Sequence, residues 1–159
     1  MSHPSHHSAA AEIPEGFHRV ERPRPNPFND TVGPFYERRH GKEVSLGLRI
    51  EERHTNSRGI CHGGLLATMA DLALGYSALA TGGPDGNTRS FVTVSLTLDF
   101  AGSAKPGDWV ESEVEVQKTG ARLAFANCYL LANGVRIVRA NAIFALSGNR
   151  GQSPISNER

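Results

Sequence analysis

A chain of 159 residues is sized for one domain with a single core, burying about two thirds of the surface its unfolded form exposes. Its 17 Lys and Arg against 16 Asp and Glu leave a formal net charge of +1, which argues against a nucleic-acid footprint or a strongly basic membrane patch. Two cysteines, Cys61 and Cys128, both in apolar surroundings, supply neither a disulfide framework nor a metal-ligand pattern and read as buried thiols of a reducing cytosol.

Residues 1–27 read as a disordered or extended segment. The first fifteen are rich in His, Ser, Ala and Pro without a continuous apolar stretch, so they are no secretory signal, and His3, His6 and His7 lack a packed scaffold to fix a metal. Arg22-Pro-Arg-Pro-Asn-Pro27 follows as an extended linker, because each proline fixes its own φ and restricts the residue before it. A single domain is expected over 28–148. It begins with Phe28, Val32, Phe35 and Tyr36 at loosely helical spacing, broken at Gly33-Pro34, which suggests a short lid or packing segment. Val44, Leu46, Leu48 and Ile50 then alternate with polar or small residues as a half-buried strand.

A long apolar helix is predicted from about Gly63 to Ala80, ended by the Gly82-Gly83-Pro84-Asp85-Gly86 cluster. Its apolar residues go nearly all the way round, so it is expected to be enclosed. The stretch from Leu65 to Ala80 is about one turn too short for a bilayer of roughly 30 Å and carries Asp71, which favours a core helix over a membrane span. Four further strands follow. Val92, Val94, Leu96, Leu98 and Phe100 share one face of the first, and the turn Ala104-Lys-Pro-Gly-Asp108 leads to Val110, Ser112, Val114 and Val116 on the next. Lys118-Thr-Gly-Ala121 turns into Leu123 to Leu131, Asn133-Gly134 is a hairpin signal before Val135 to Leu146, and 149–159 is a polar tail. Short turns imply antiparallel pairing. The class is therefore α+β: a curled antiparallel sheet of five or six strands wrapped around one long central helix, the order of the hotdog fold. Apolar residues left on edges and outer face point to self-association.

Asp71 is the only charged side chain between Gly63 and Gly83. A buried, unpartnered carboxylate costs several kcal/mol or more, so it is paired, exposed on a narrow stripe, or held for chemistry. At the start of the same helix, Gly63 and Gly64 present backbone N–H groups without internal partners at the positive end of the dipole. That suits a developing oxyanion, although a glycine-rich helix start can serve packing alone. Asp71 lies eight residues on, about 12 Å along the axis, so one chain can hardly bring both groups to one carbonyl.

The run Asn56-Ser-Arg-Gly-Ile-Cys-His-Gly-Gly64, followed by Leu-Leu-Ala-Thr-Met-Ala-Asp71, resembles the signature of the hotdog acyl-CoA thioesterases of the phenylacetic-acid-degradation (PaaI-type) family. The likeness continues through Val92-Thr-Val-Ser-Leu and Ala104-Lys-Pro-Gly-Asp108 and covers roughly Val44 to Leu146. It implies that Asp71 meets the Gly63 amide of a partner chain across a dimer interface and acts as nucleophile or base. It further implies that Asn56 holds the thioester or the water, that Thr93 orients the water, and that His62 and Gly64 support the loop. Asn56 could equally be turn chemistry and Thr93 an ordinary strand residue. For the phosphates of coenzyme A, Arg89, Ser90, Lys118, Gly120 and Arg122 cluster at strand ends, where such residues are more often merely solvated. For the acyl group, Leu65, Leu66, Met69 and the segment from Phe28 to Tyr36 are candidate walls.

No metal and no separate cofactor is expected, coenzyme A being part of the substrate. The protein is expected to be cytoplasmic, with no membrane or nucleic-acid partner, and to form a homodimer that pairs again into a homotetramer. Two other readings compete: a non-catalytic acyl-CoA or metabolite-binding hotdog module, which needs no acid at Asp71, and a hotdog hydratase or dehydratase. The latter needs a His and acid pair that His62 does not supply.

Overall fold

The computed structural model describes residues 12–22, 25–81 and 90–147; the expected polar tail, Arg89 and the glycine cluster after the helix lie outside them. In chain order the elements are β1 (His18–Arg19), α1 (Pro27–Val32), β2 (Tyr36–His40), β3 (Glu43–Arg49), a single turn of 3-10 helix (Glu52–His54), and α2 (Gly63–Thr81). Four long strands complete the domain: β4 (Ser90–Phe100), β5 (Trp109–Thr119), β6 (Leu123–Ala132) and β7 (Val135–Ser147). All pair antiparallel in one sheet of order β1-β2-β3-β5-β6-β7-β4, with α2 packed against its inner face.

The sheet has seven strands rather than five or six. The additional pair, β1 and β2, lies in the stretch read from sequence as linker and packing segment. β2 reads Tyr-Glu-Arg-Arg-His, and its inward position is filled by Glu37, 6% exposed, so there is no apolar alternation to betray it. Glu37 is tolerated because Arg22 donates to it at 3.0 Å and Arg39 at 3.2 Å. Burial alone would raise its pKa, and these hydrogen bonds outweigh burial and hold it below the usual carboxylate range.

Elsewhere the period-two pattern maps onto the core. Leu46, Leu48, Val110, Leu130, Val138 and Phe144 from the sheet close on Leu66, Met69 and Leu74 from α2, all fully buried. The β6–β7 hairpin turns through Asn133 (φ 47) and Gly134 (φ 83), the two positive φ values that a type I′ turn requires.

Two expectations change. First, α2 is not enclosed by its own chain. Leu65, Leu66, Met69, Ala70, Ala73, Leu74, Ser77 and Ala78 are buried, whereas Ala67, Thr68, Asp71, Leu72, Tyr76 and Leu79 form a half-buried stripe. The helix is long and apolar enough by composition to cross a membrane, yet its inner half is sheet core. Second, β4 does not keep one phase. A bulge between Thr93 and Ser95 leaves Val94 without a partner on β7, so Phe91 and Thr93 point inward before it and Leu96 and Leu98 after it. Val92 and Val94 are consequently exposed, at 65% and 62%. Phe91 packs edge-to-face on Phe144 and lies over Gly75, where a Cβ would fall 2.4 Å from its ring.

Candidate functional site

The chain before α2 is held by its own backbone. Thr55 and Cys61 form an isolated bridge, the Asn56 N–H donates to the Ile60 carbonyl, and the Gly59 N–H returns to the Asn56 carbonyl at 2.9 Å. The Asn56 side-chain oxygen accepts from the Arg58 N–H at 2.9 Å, so this side chain closes its own turn. His62 ends the loop as the cap of α2: its Nδ1 accepts from the Gly64 N–H at 2.9 Å, and its own N–H donates to the His54 carbonyl at 2.8 Å. Since Nδ1 accepts, the neutral ring carries its proton on Nε2.

The orphan amides of the first turn can then be counted. Gly64 bonds to the His62 ring, and Leu65 and Leu66 bond to the His62 carbonyl at 3.0 and 3.3 Å. Only the Gly63 N–H has no acceptor among the described residues. A Cβ on Gly63 would lie 3.5 Å from the Phe100 ring, an ordinary contact, so the fold itself does not demand glycine there. A Cβ on Gly64 would lie 2.9 Å from His62 Nδ1 and displace the cap.

Asp71 sits half-buried on the open stripe of α2, and its Oδ1 accepts from the Thr93 hydroxyl at 2.8 Å. Among the described residues it forms no ion pair. The bulge in β4 is what makes the Thr93 bond possible. One chain thus presents an uncommitted amide at Gly63 and a hydrogen-bonded carboxylate at Asp71 on one open side of α2, about two turns of helix apart.

Other candidates fall elsewhere. Leu66 and Met69, at 2% and 0% exposure, belong to the core rather than to a slot, because their positions on α2 face the sheet. Leu65 instead borders a cavity of about 600 Å³ between α1 and the start of α2. Lys118, Gly120 and Arg122 lie at the β5–β6 turn, next to Thr119, whose hydroxyl is 3.1 Å from that of Thr81 at the far end of α2. Ser90 opens β4.

Three residues that the sequence reading passed over shape the surroundings: Phe100 beside Gly63, Arg53 and His54. Arg53 donates to the Thr31 carbonyl at 2.7 Å, to the Gly33 carbonyl, and to the Glu51 carboxylate at 2.8 Å, which fastens α1 to the loop before α2. His54 is 4% exposed and accepts the Glu51 N–H on Nδ1 at 3.0 Å. Burial first, and then the Arg53 charge, hold its pKa below the ordinary histidine value. Both thiols are buried, and burial pushes Cys61 up to about 11 and Cys128 up to about 12. Among the described residues no three His, Cys, Asp or Glu side chains converge.

Residues 58–136 match the family model described as the Thioesterase superfamily. A Pseudomonas aeruginosa protein named "Putative esterase PA0474" is 40% identical over 135 residues, 84% of this chain and 97% of the relative. Acyl-coenzyme A thioesterase 13 of Homo sapiens is 34% identical over 87 residues, 54% of this chain and 58% of that protein. Among solved structures, the E. coli PaaI protein of the phenylacetic acid degradation operon superposes with a TM-score of 0.68 at 17% identity, covering 78% of this chain and 86% of that one.

Proposed function

Because the chain belongs to the thioesterase superfamily, as a hotdog-fold protein of the PaaI type, and is a thioester hydrolase, we propose that it cleaves an acyl-CoA to a free carboxylic acid and coenzyme A at sites shared between two copies. The observation that carries this reading is that, among the described residues, the Gly63 N–H has no acceptor and the Asp71 carboxylate no ion pair, the two lying on one open stripe too far apart to serve one carbonyl within a chain.

A two-fold related second copy resolves the separation. Antiparallel α2 helices with Gly63 facing Asp71 of the partner place the axis midway, near Ala67, and the pairing is isologous. Gly63 and Ala67, on the line of α2 that leads to Asp71, are small, which lets the two helices approach closely. On the same side, β4 is a sheet edge of 11 residues paired, among the described residues, to β7 alone, with a row of N–H and C=O groups that a second β4 could pair.

In this site the thioester carbonyl oxygen accepts from the Gly63 N–H, which becomes a stronger interaction as negative charge develops on that oxygen. Asp71 of the facing copy, held by Thr93, either takes a proton from a water that attacks the carbonyl carbon, or attacks it directly to give an anhydride that water then opens. In both routes the C–S bond breaks and the thiolate leaves to become the coenzyme A thiol. Asn56 and His62 act through the loop, fixing where Gly63 stands. Lys118 and Arg122, about 15 Å along α2 from Asp71, are the cations this reading assigns to the phosphate end. A cytoplasmic homodimer, pairing again into a tetramer, is the form this reading expects.

The test is thiol release from a panel of acyl-CoAs by wild type and Asp71→Asn. Asparagine still accepts the Thr93 hydroxyl, so the variant should fold and lose about 10²- to 10⁴-fold in turnover. Near-wild-type turnover in the variant would overturn the assignment. Label in the Asp71 carboxylate after single-turnover hydrolysis in heavy-oxygen water would establish the anhydride route, because general-base attack puts the label in the product acid alone.

A further inference from the structure

Beside the Gly63 amide lies a cavity that the reaction as described leaves unused, about 600 Å³ in volume and within the usual range for a small-molecule site. His62 and Gly64, on either side of Gly63, border it, as do Leu65 and Thr68 on the next turn of α2. Its opposite wall is α1, through Phe28 and Val32. We propose that this cavity seats the acyl group of the substrate and that Phe28, Val32 and Thr68 set which acyl groups the enzyme accepts. The inference rests on the reading above, in which the thioester carbonyl sits at Gly63.

Three observations carry it. The first is continuity: His62 and Gly64, the residues before and after Gly63, both line the cavity, so it adjoins the place where the Gly63 N–H would hold a carbonyl. The second is charge. Arg53, the one cationic wall residue among those described, has each of its three nitrogens already bonded, to the Thr31 and Gly33 carbonyls and the Glu51 carboxylate, leaving two of its five N–H donors. A pantetheine arm, with two amides and a phosphate end, would find few partners there, whereas an acyl group needs none. The third is the wall itself. Phe28 is 59% exposed, a large aromatic held out from the core on a helix of six residues. That helix is not loose: Arg53 holds its last carbonyls and the Asn29 side chain reaches the Tyr76 hydroxyl at 3.5 Å. An exposed aromatic on a clamped support is a preorganised apolar wall awaiting a ligand.

The experiment is a kcat/KM series over acetyl-, butanoyl-, octanoyl- and dodecanoyl-CoA with wild type, Phe28→Ala and Thr68→Phe, with inhibition by free coenzyme A measured alongside. Thr68→Phe fills the cavity and should lower the octanoyl-to-acetyl ratio of kcat/KM by roughly 10-fold or more, the scale of a small apolar group in such a pocket. Phe28→Ala widens it and should shift the preferred chain length upward, while coenzyme A inhibition changes little in either variant. Flat ratios accompanied by weakened coenzyme A inhibition would give the cavity to the pantetheine arm and overturn the proposal. The failure of the hydrolase reading is separable: if wild type releases no thiol from any member of the series, octanoate binding is measured by dye displacement. Binding that Thr68→Phe abolishes upholds the seat, and no binding to wild type refutes it.

Discussion

Sharing of each site between two chains makes a quantitative prediction from two dead variants. Gly63→Ala keeps the backbone N–H but puts a methyl group where the thioester carbonyl must approach, which should cost about 10²- to 10³-fold, the scale of one oxyanion donor. Asp71→Asn should cost about 10²- to 10⁴-fold. In a mixed dimer of the two, one site combines an unaltered Gly63 with an unaltered Asp71 and the other combines both substitutions. After chain exchange in an equal mixture, about half of the dimers are mixed and half of their sites are intact, so about a quarter of wild-type turnover should return. Thiol release against time after mixing reads this directly, because activity must rise at the rate of chain exchange. A mixture that stays at the average of its two inactive parents, while labelled chains demonstrably exchange, would refute the shared site.

Three further outcomes follow from the same geometry. Gly63→Ala should lose no stability, since its Cβ meets Phe100 at ordinary contact distance and Ala favours the helix, whereas Gly64→Ala displaces the His62 cap and should lose about 1 kcal/mol; thermal unfolding compares them, and equal losses would remove the cap argument. Thr93→Val removes the donor on Asp71 Oδ1 and should lower kcat about 10-fold or more with the dimer retained by sedimentation; an unchanged kcat would reduce Thr93 to a strand residue. Stability should also fall in mild acid through His54. Its folded pKa lies below the ordinary 6.5, so the unfolded chain takes up the proton first; the contribution is complete above that value and is lost as pH falls toward the lowered one. Chemical unfolding between pH 5 and 7 should show this slope in wild type and a shallower one in His54→Asn; equal slopes would contradict it.

What the sequence disclosed depended on how each residue spends its side chain. β3 and β5 were readable because apolar residues alternate with polar or small ones along them, and β6 and β7 because turn signals bound two largely apolar runs. β2 was hidden because Glu37 takes the inward place, paired by Arg22, which is 15 positions distant and still within the proline-rich stretch. The phase of β4 was misread because Val94 is inserted into an otherwise regular alternation, and nothing in Val-Thr-Val-Ser-Leu marks the insertion. The all-round hydrophobicity of α2 told correctly that it is a core helix, but hydrophobicity does not say whether the covering surface belongs to the same chain.

The site divides in the same way. Asp71 stood out as a charge in an apolar run and Gly63 as a helix start, both local signals. Arg53 gave none, because its partners are backbone carbonyls brought close only by the fold. Asn56, weighed as a substrate contact or as turn chemistry, has its side-chain oxygen in the turn.

The unpaired residue in β4 ties the chemistry to a count. Thr93 stands an odd number of residues before Leu96, and it faces Asp71 while Leu96 and Leu98 pack into the core only because the bulge takes up the odd residue. Paired in an unbroken ladder, the same sequence would turn either Thr93 or the two leucines to the opposite face, because Leu96 stands three positions after Thr93. Deleting Val94 instead makes that separation even and keeps both inward. The bulge thus reconciles, within one strand, the orientation that the carboxylate needs and the one that the core needs, which point mutations at neither end would reveal.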